Sequence, residues 1–357
     1  MKNRLERLRE KLTAENIDGL LITAPENRLY ISGFTGTAAI IFITTKDAYL
    51  ITDFRYSEQA MAQSSLFNIV EQGTTVEKTL ADLVKKSGVK KIGLEKDHVT
   101  CSQYEFYKEN LDFIQLLLIK SPIEELRMIK DDKEIKCLTK AVQIADAAFA
   151  HTLDMLKPNI TEWEVALELE FYMRRHGAQK TAFDFIVASG ERSSMPHGVA
   201  STKKLKLGEL VTMDFGCVYE GYHSDITRTV VLGEADDRQR DIYNIVLQAQ
   251  LAAIEAIKPG IKCCEIDKVA RDIIVGRGYG DNFGHGLGHS VGLAIHEKPA
   301  FSTKDQTLLE KGMTITVEPG IYLPGWGGVR IEDIVLLTDT GCKILTGADK
   351  NLLQINT

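Results

Sequence analysis

Leu5, Leu8 and Leu12 recur at helical spacing in an otherwise charged opening segment, which predicts an amphipathic first helix. The apolar run GLLITA (19–24) then reads as a short strand, and AAIIFITTKDAYLITD (38–53) as two strands joined at Lys46-Asp47. TVEKTLADLVKKSG (75–88) has helical periodicity and a glycine stop at Gly88. KKIGLEKDHVT (90–100) returns to a strand, CSQYEFYKENL (101–111) to a helix, and FIQLLLIKSP (113–122) to a strand closed by Pro122. Alternation of this kind over about 120 residues predicts a small α/β domain. Residues 122–160 then form one strongly helical stretch, ended by Pro158-Asn159, and Thr161–Glu164 has the capping-box form that opens another helix through about His176. Beyond Phe183 short β segments dominate, in 183–190, 209–233, 313–322 and 329–338, with helices expected at about 237–257 and 264–276. Strand pairs divided by helix pairs predict an α+β domain with two similar halves. The boundary falls in 121–130, giving domains 1–122 and 123–357.

A chain of 357 residues exceeds one typical hydrophobic core, in keeping with two domains. The net charge of -7, with lysine and arginine scattered along the chain, leaves no basic footprint for nucleic acid. KKSGVKK (85–91) reads as a solvated helix end. The opening segment lacks an apolar signal-peptide core, and no apolar run is long enough to cross a bilayer. Cys101, Cys137, Cys217, Cys263, Cys264 and Cys342 show no C-x-x-C spacing and are expected to be free thiols in a cytoplasmic protein.

The chemistry concentrates in GHGLGHSVGLAIHE (284–297), where three histidines sit on a glycine-rich backbone that makes a poor helix. Such imidazoles belong either to a catalytic or metal site or to a flexible surface loop. Four carboxylates decide between these. Asp214, Asp225, Glu318 and Glu332 all lie in apolar β segments, where an uncompensated carboxylate is costly. Residues 211–230 look like a hairpin that brings Asp214 and Asp225 together. Glu318 to Glu332 has the same form, with prolines and glycines making the bend. Two hairpins would thus present four oxygen donors and one imidazole to one place, a set able to hold two divalent cations.

Asp214-x10-Asp225, the histidine of GHGLGHSVG, Glu318 in TVEPG and Glu332 in VRIED together resemble the dimetal creatinase/methionine-aminopeptidase superfamily. YISGFTG (30–36) and ITDFRY (51–56) extend the resemblance to the N-terminal domain of its proline peptidases, the Xaa-Pro dipeptidase (prolidase) and aminopeptidase P family. The resemblance implies an α+β pita-bread catalytic domain preceded by a smaller α/β creatinase-like domain. It implies Asp214, Asp225, His289, Glu318 and Glu332 as metal ligands. His197 and His296 would act at the scissile bond with Glu318 as proton acceptor, and His285 and Arg330 would face substrate. Arg330 is equally readable as an ion-pair partner of Glu332. His98, His151, His176 and His223 match nothing and read as surface or helix-end residues.

The activity implied is hydrolysis of the Xaa-Pro bond by a hydroxide bridging two metal ions, with a small peptide bearing proline at its second position as substrate. Chain length tilts the reading toward dipeptides, and aminopeptidase P acting on longer peptides is the alternative. A carboxylate-rich donor set without thiolate suits Mn²⁺, with Co²⁺ or Zn²⁺ also compatible. A dipeptidase needs a cation for the product carboxylate, and Arg330, or Arg55 from a neighbouring subunit of the implied homodimer, would supply it. A non-catalytic peptide- or protein-binding module of the same fold is the reading from another class. It would require lost ligands, whereas all five positions are intact.

Overall fold

The computed structural model describes residues 1–356 and divides the chain into two compact units, Met1–Arg127 and a second that begins at Met128. The first contains α1 (Lys2–Ala14), β1 (Gly19–Ile22), α2 (Pro25–Ser32), β2 (Ala39–Thr44), β3 (Ala48–Thr52) and α3 (Ser57–Gln63). It continues with β4 (Asn68–Glu71), α4 (Val76–Ser87), β5 (Lys91–Glu95), α5 (Cys101–Asn110), β6 (Gln115–Ile119) and α6 (Pro122–Met128). Its six strands are ordered β4-β3-β2-β1-β5-β6, and only β2 runs against its neighbours. Leu21, Phe42, Ile51, Leu80 and Ile92 build the core on one face. Thr75 caps α4 through the Lys78 N–H, and Gly88 ends it in the left-handed region (φ 69°) that glycine enters without strain. The unit runs past the expected boundary at 122/123 because α6 is tied back to it. Tyr30 donates to the Leu126 carbonyl (3.1 Å) and Arg127 to Asn27 (2.8 Å).

The second unit opens with α7 (Asp132–Leu153), α8 (Glu162–Arg175), β7 (Lys180–Thr181), β8 (Ile186–Ser189), β9 (Leu210–Phe215), β10 (Cys217–Tyr219), β11 (Tyr222–His223) and β12 (Ile226–Leu232). Then come α9 (Asp237–Ala256), α10 (Cys263–Gly276), β13 (Gly288–Ser290), β14 (Glu297–Phe301) and β15 (Thr314–Val317). The last strands are β16 (Gly320–Leu323), β17 (Gly327–Arg330), β18 (Asp333–Leu337), β19 (Cys342–Ile344) and β20 (Gln354–Ile355). The helical stretch expected over 122–160 is broken at Asp131. Its carboxylate caps α7 while Glu134 reaches back to its N–H, so a fresh helix starts there.

The two similar halves expected of the pita-bread fold are present. Sheet β20-β12-β9-β8 shares a core with α7 and α8 through Leu169, Met213 and Val230. Sheet β14-β13-β15-β18-β19 shares another with α9 and α10 through Val246, Ile274 and Val335. In the first half β9 pairs antiparallel with β12, placing Asp214 opposite Thr227, and the short ribbon β10–β11 is inserted between them. In the second half β15 pairs with β18, placing Val317 opposite Asp333, with ribbon β16–β17 inserted. Asp225, Glu318 and Glu332 therefore stand just outside strand ends rather than inside strands, at the points where each ribbon departs.

Threonines join the halves. Thr229 donates to the Arg330 carbonyl (3.0 Å), and the Glu332 N–H donates to the Thr227 carbonyl (3.1 Å). Behind this seam the buried Asp333 carboxylate accepts from Arg228 (2.7 Å) and Gln250 (2.7 Å) and pairs with Lys350. Arg228 also donates to the Glu332 carbonyl, so the backbone carrying that carboxylate is fixed from behind.

Candidate metal centre

Both hairpins discharge their acids onto the wall of one cavity of about 580 Å³, lined wholly by the second unit. Asp214, Asp225, Glu318 and Glu332 reach it from the hairpins, and His289 from β13. His289 can stand there because its neighbour is glycine. A Cβ on Gly288 would lie 2.0 Å from the Thr316 carbonyl oxygen, so only glycine lets β13 approach β15 this closely. The His289 Nδ1–H donates to the Ser290 carbonyl (3.2 Å), which leaves the Nε2 lone pair facing the acids. Nε2 stands 3.5 Å from Asp225 Oδ2 and 3.4 Å from Glu318 Oε1. These separations exceed a good hydrogen bond and suit donors that share a cation about 2.1 Å from each. Donor atoms of Asp225, His289 and Glu332 lie within 4.8 Å of one another.

Two oxygens carry the strongest sign of a missing positive charge. Asp214 Oδ1 and Glu332 Oε1 are buried with no hydrogen-bond partner among the described residues. Leaving such groups unmet costs about 1–3 kcal/mol each, and more when charged. Burial pushes the Asp225 carboxyl well above the usual carboxylate range, and Glu332, Asp214 and Glu318 push it further. Glu332 is likewise held high by burial, then by Glu318 and Asp214. Glu318 is raised by burial, partly offset by His285 and Arg330. Burial lowers His289, which favours the neutral imidazole a metal requires. The donor set fits divalent cations.

The remaining sequence-predicted residues divide by exposure. His197 and His296 line the cavity and are exposed, so their imidazoles are open to a bound molecule. The His296 ring meets His289 edge-on at 4.3 Å, and burial, then repulsion from His289 and His197, lowers its pKa. His285 also lines the cavity, but both its nitrogens are engaged. Nδ1 donates to the Gly286 carbonyl (2.8 Å) and Nε2 accepts from the Tyr322 hydroxyl (2.9 Å). Arg330 is only 3% exposed and pairs with Asp214 (2.6 Å), not with Glu332. Its other nitrogens donate to Thr227 (3.0 Å), to Tyr322 (2.9 Å) and to the Pro196 carbonyl (3.3 Å). Burial opposes its charge, yet Tyr322, Asp214 and Glu318 hold the guanidinium well above its ordinary value. In the first unit, Arg55 is exposed and grips Asp53 through Nε and Nη2 at 2.9 and 2.8 Å.

Several site residues escape a reading of the sequence. Thr227 donates to Glu332 Oε2 (2.7 Å) while accepting from Arg330, and Thr316 accepts the His289 N–H (2.9 Å) and donates to Glu318 (3.0 Å). Lys130 and Glu297 form a buried pair (3.1 Å) beneath the loop that presents His296. His223 is corrected from surface to core. It is 8% exposed, with its backbone N–H and ring Nδ1 both directed to the Gly292 carbonyl (2.8 and 3.1 Å). His151 and His176 do lie at helix ends, in the last turn of α7 and at the cap of α8.

Comparison with known proteins assigns both parts of the chain to known families. Residues 136–339 match Metallopeptidase family M24, and residues 4–129 match the Creatinase/Prolidase N-terminal domain. An Xaa-Pro dipeptidase of Pyrococcus furiosus is 43% identical over 99% of this chain and 100% of its own. The solved structure of an Xaa-Pro dipeptidase from Bacillus anthracis superposes with a TM-score of 0.97 at 48% identity, covering 99% of each chain. An X-Pro aminopeptidase from Thermotoga maritima superposes with a TM-score of 0.90 at 39% identity, covering 95% of this chain and 98% of that one.

Proposed function

Because this chain belongs to metallopeptidase family M24 and carries a Creatinase/Prolidase N-terminal domain, we propose that it is a metal-dependent Xaa-Pro dipeptidase. The observation that carries the reading is the pair of orphaned carboxylate oxygens, Asp214 Oδ1 and Glu332 Oε1, beside His289 on the wall of a substrate-sized cavity. Asp214, Asp225, His289, Glu318 and Glu332 would hold two divalent cations, with Mn²⁺ preferred by this oxygen-rich, thiolate-free set. When bound, such ions supply Lewis acidity and make water acidic enough to serve as a nucleophile near neutral pH.

The chain's own groups do the rest. Glu318, beside the attacking water, would take its proton and return it to the leaving proline nitrogen. His296 is held neutral by its surroundings, so it offers a ring N–H to the peptide carbonyl as charge develops there. His197, exposed across the same cavity, supports the bound peptide. Arg330, with each nitrogen already donating, fixes Asp214, Tyr322 and through Tyr322 the His285 ring, and serves to orient rather than to receive substrate. Proline substrates lack an amide N–H at the scissile bond, so they need a dedicated cavity rather than strand-like pairing. A cytoplasmic homodimer is part of the same proposal.

Hydrolysis of Ala-Pro, Ala-Pro-amide and Ala-Pro-Ala, with and without added Mn²⁺, tests the reading. Ala-Pro should be cleaved in a metal-dependent manner, and amidation should slow it at least about tenfold, since the product carboxylate would lose a charge-assisted hydrogen bond, with Arg55 of the neighbouring subunit as its proposed donor, at a cost of about 1.5–3 kcal/mol. Equal cleavage of all three would overturn the dipeptidase assignment in favour of an aminopeptidase.

A further inference from the structure

Within the first unit, the parallel strands β1, β3 and β4 all end at one edge of the sheet, where the antiparallel β2 begins. A cavity of about 270 Å³ opens there, bordered by Thr23 after β1, Thr52 and Asp53 at the end of β3, and Gln72 after β4. A neighbouring cavity of about 250 Å³ shares Ile40, Val76, Gln103 and Tyr107 with it and adds Glu77, Leu80, Ser102 and Phe106. The carboxyl ends of strands are where open α/β sheets hold their ligands.

Arg28, on α2, lines the first cavity and is only 7% exposed. Its Nη1 donates to the Ala39 carbonyl and its Nη2 to the Thr37 carbonyl (3.2 Å), both neutral acceptors. Its Nε is buried without a partner, and among the described residues no carboxylate forms an ion pair with it. Asp53, the carboxylate that borders the first cavity, is already neutralised by Arg55, and Glu77 borders the second. Burial lowers the Arg28 guanidinium below its ordinary value, and Glu26 and Glu95 only partly restore it. A buried cation left in this state is strongly disfavoured unless an anion meets it.

Two further donors converge on the same space. Val76 opens the twelve-residue helix α4 and borders both cavities, and only the Lys78 N–H of that first turn is taken by the Thr75 cap. The remaining N–H groups of the turn and the positive end of the helix face an anion favourably. Tyr107 is 4% exposed, borders both cavities, and its hydroxyl has no hydrogen-bond partner among the described residues. The second cavity adds an apolar wall of Ile40, Leu80 and Phe106, with Glu77 and Ser102 also on its border.

We propose that these joined cavities bind a small organic carboxylate bearing an apolar group. The carboxylate sits between Arg28 and the first turn of α4, receives the Tyr107 hydroxyl, and lays its apolar part against Ile40, Leu80 and Phe106. No part of this site belongs to the catalytic cavity, whose lining lies entirely in the second unit.

The test uses full-length, metal-free protein labelled at isoleucine and leucine methyls, titrated with 3-phenylpropionate and followed by NMR. The Ile40 and Leu80 signals should move and saturate, independently of Ile186 and Ile295, which line the catalytic cavity. The uncharged 3-phenylpropanol and inorganic phosphate should each bind at least about tenfold more weakly. Arg28→Met should weaken 3-phenylpropionate at least about tenfold, and Tyr107→Phe about three- to tenfold. Arg28 also holds backbone carbonyls, so Tyr107→Phe, which removes no protein contact, keeps the test decisive if the first variant folds poorly. Absence of saturable shifts at Ile40 and Leu80, equal binding of the alcohol or of phosphate, or unchanged affinity in Tyr107→Phe would each overturn the proposal.

Discussion

Thr227→Val is the sharpest test of how the metal centre is held. Thr227 is fully buried, and its hydroxyl donates to Glu332 Oε2 at 2.7 Å while accepting from Arg330 Nε at 3.0 Å. Valine keeps the shape and removes both bonds. A hydrogen bond to a charged group contributes about 1.5–3 kcal/mol, and here it fixes the rotamer of a proposed ligand whose other oxygen is buried without a partner among the described residues. If that free energy is expressed in the placement of Glu332, metal affinity should fall about ten- to a hundredfold, the range found when groups behind a ligand are removed. The Arg330 Nε, left unpartnered, should also lower the melting temperature of the metal-free protein. Competition with a chromophoric chelator measures the affinity, and thermal unfolding in chelator measures the second effect. Thr227→Ser restores the hydroxyl and should recover most of both. Affinity in Thr227→Val within about twofold of the parent, or a serine variant as weak as the valine one, would refute the argument.

Three other outcomes are expected. His289→Ala should lose most bound metal and nearly all activity with unchanged circular dichroism; full metal occupancy would contradict its place among the ligands. His197→Ala and His296→Ala should keep their metal and lose mainly turnover, by about 10²-fold, as metal analysis alongside kcat will show. Ellman's reagent at pH 8 should label the exposed Cys101 rapidly but not Cys217 or Cys263, whose thiols burial pushes up to about 11 and about 12. Folding thus holds protons that the unfolded chain releases near its ordinary thiol value of about 8.5. Stability from these two sites is full below that pH and is lost as pH rises toward 11 to 12, which alkaline unfolding curves of Cys217→Ala and Cys263→Ala should report as a flatter decline.

The carboxylates proposed as ligands stand out in the sequence because they place charge beside or within apolar runs. Asp214 and Glu332 interrupt runs such as LVTMD and VRIEDIVLL, and the physics that makes this costly also makes it visible. Thr227 and Tyr322 carry no such conflict. A threonine in ITRTVVL and a tyrosine in GIYL are ordinary strand residues, and only the crossing of two hairpins reveals what their hydroxyls meet. His223 was misplaced for a related reason: its burial comes from packing against the Gly292 loop, far away in sequence. Among the elements, α2, α3 and β4 went unseen because eight, seven and four residues are too few for periodicity to emerge. The break before α7 was present in the sequence as Asp131 with Glu134 three residues on, masked by apolar spacing that runs across it.

The division of the acids between two hairpins also fixes when the centre comes into being during synthesis. A nascent chain that has completed β12 already carries Asp214 and Asp225 in place, yet the seam to Arg330 and Glu332 does not exist until β17 and β18 have emerged. The earlier half therefore has its own core to fold around but only a fragment of the donor set. Cations held by two carboxylates alone dissociate readily, so tight loading waits for the long-range pairing, the step topology makes slow. With the proposed donor set, metal capture would follow folding and close only on a finished domain.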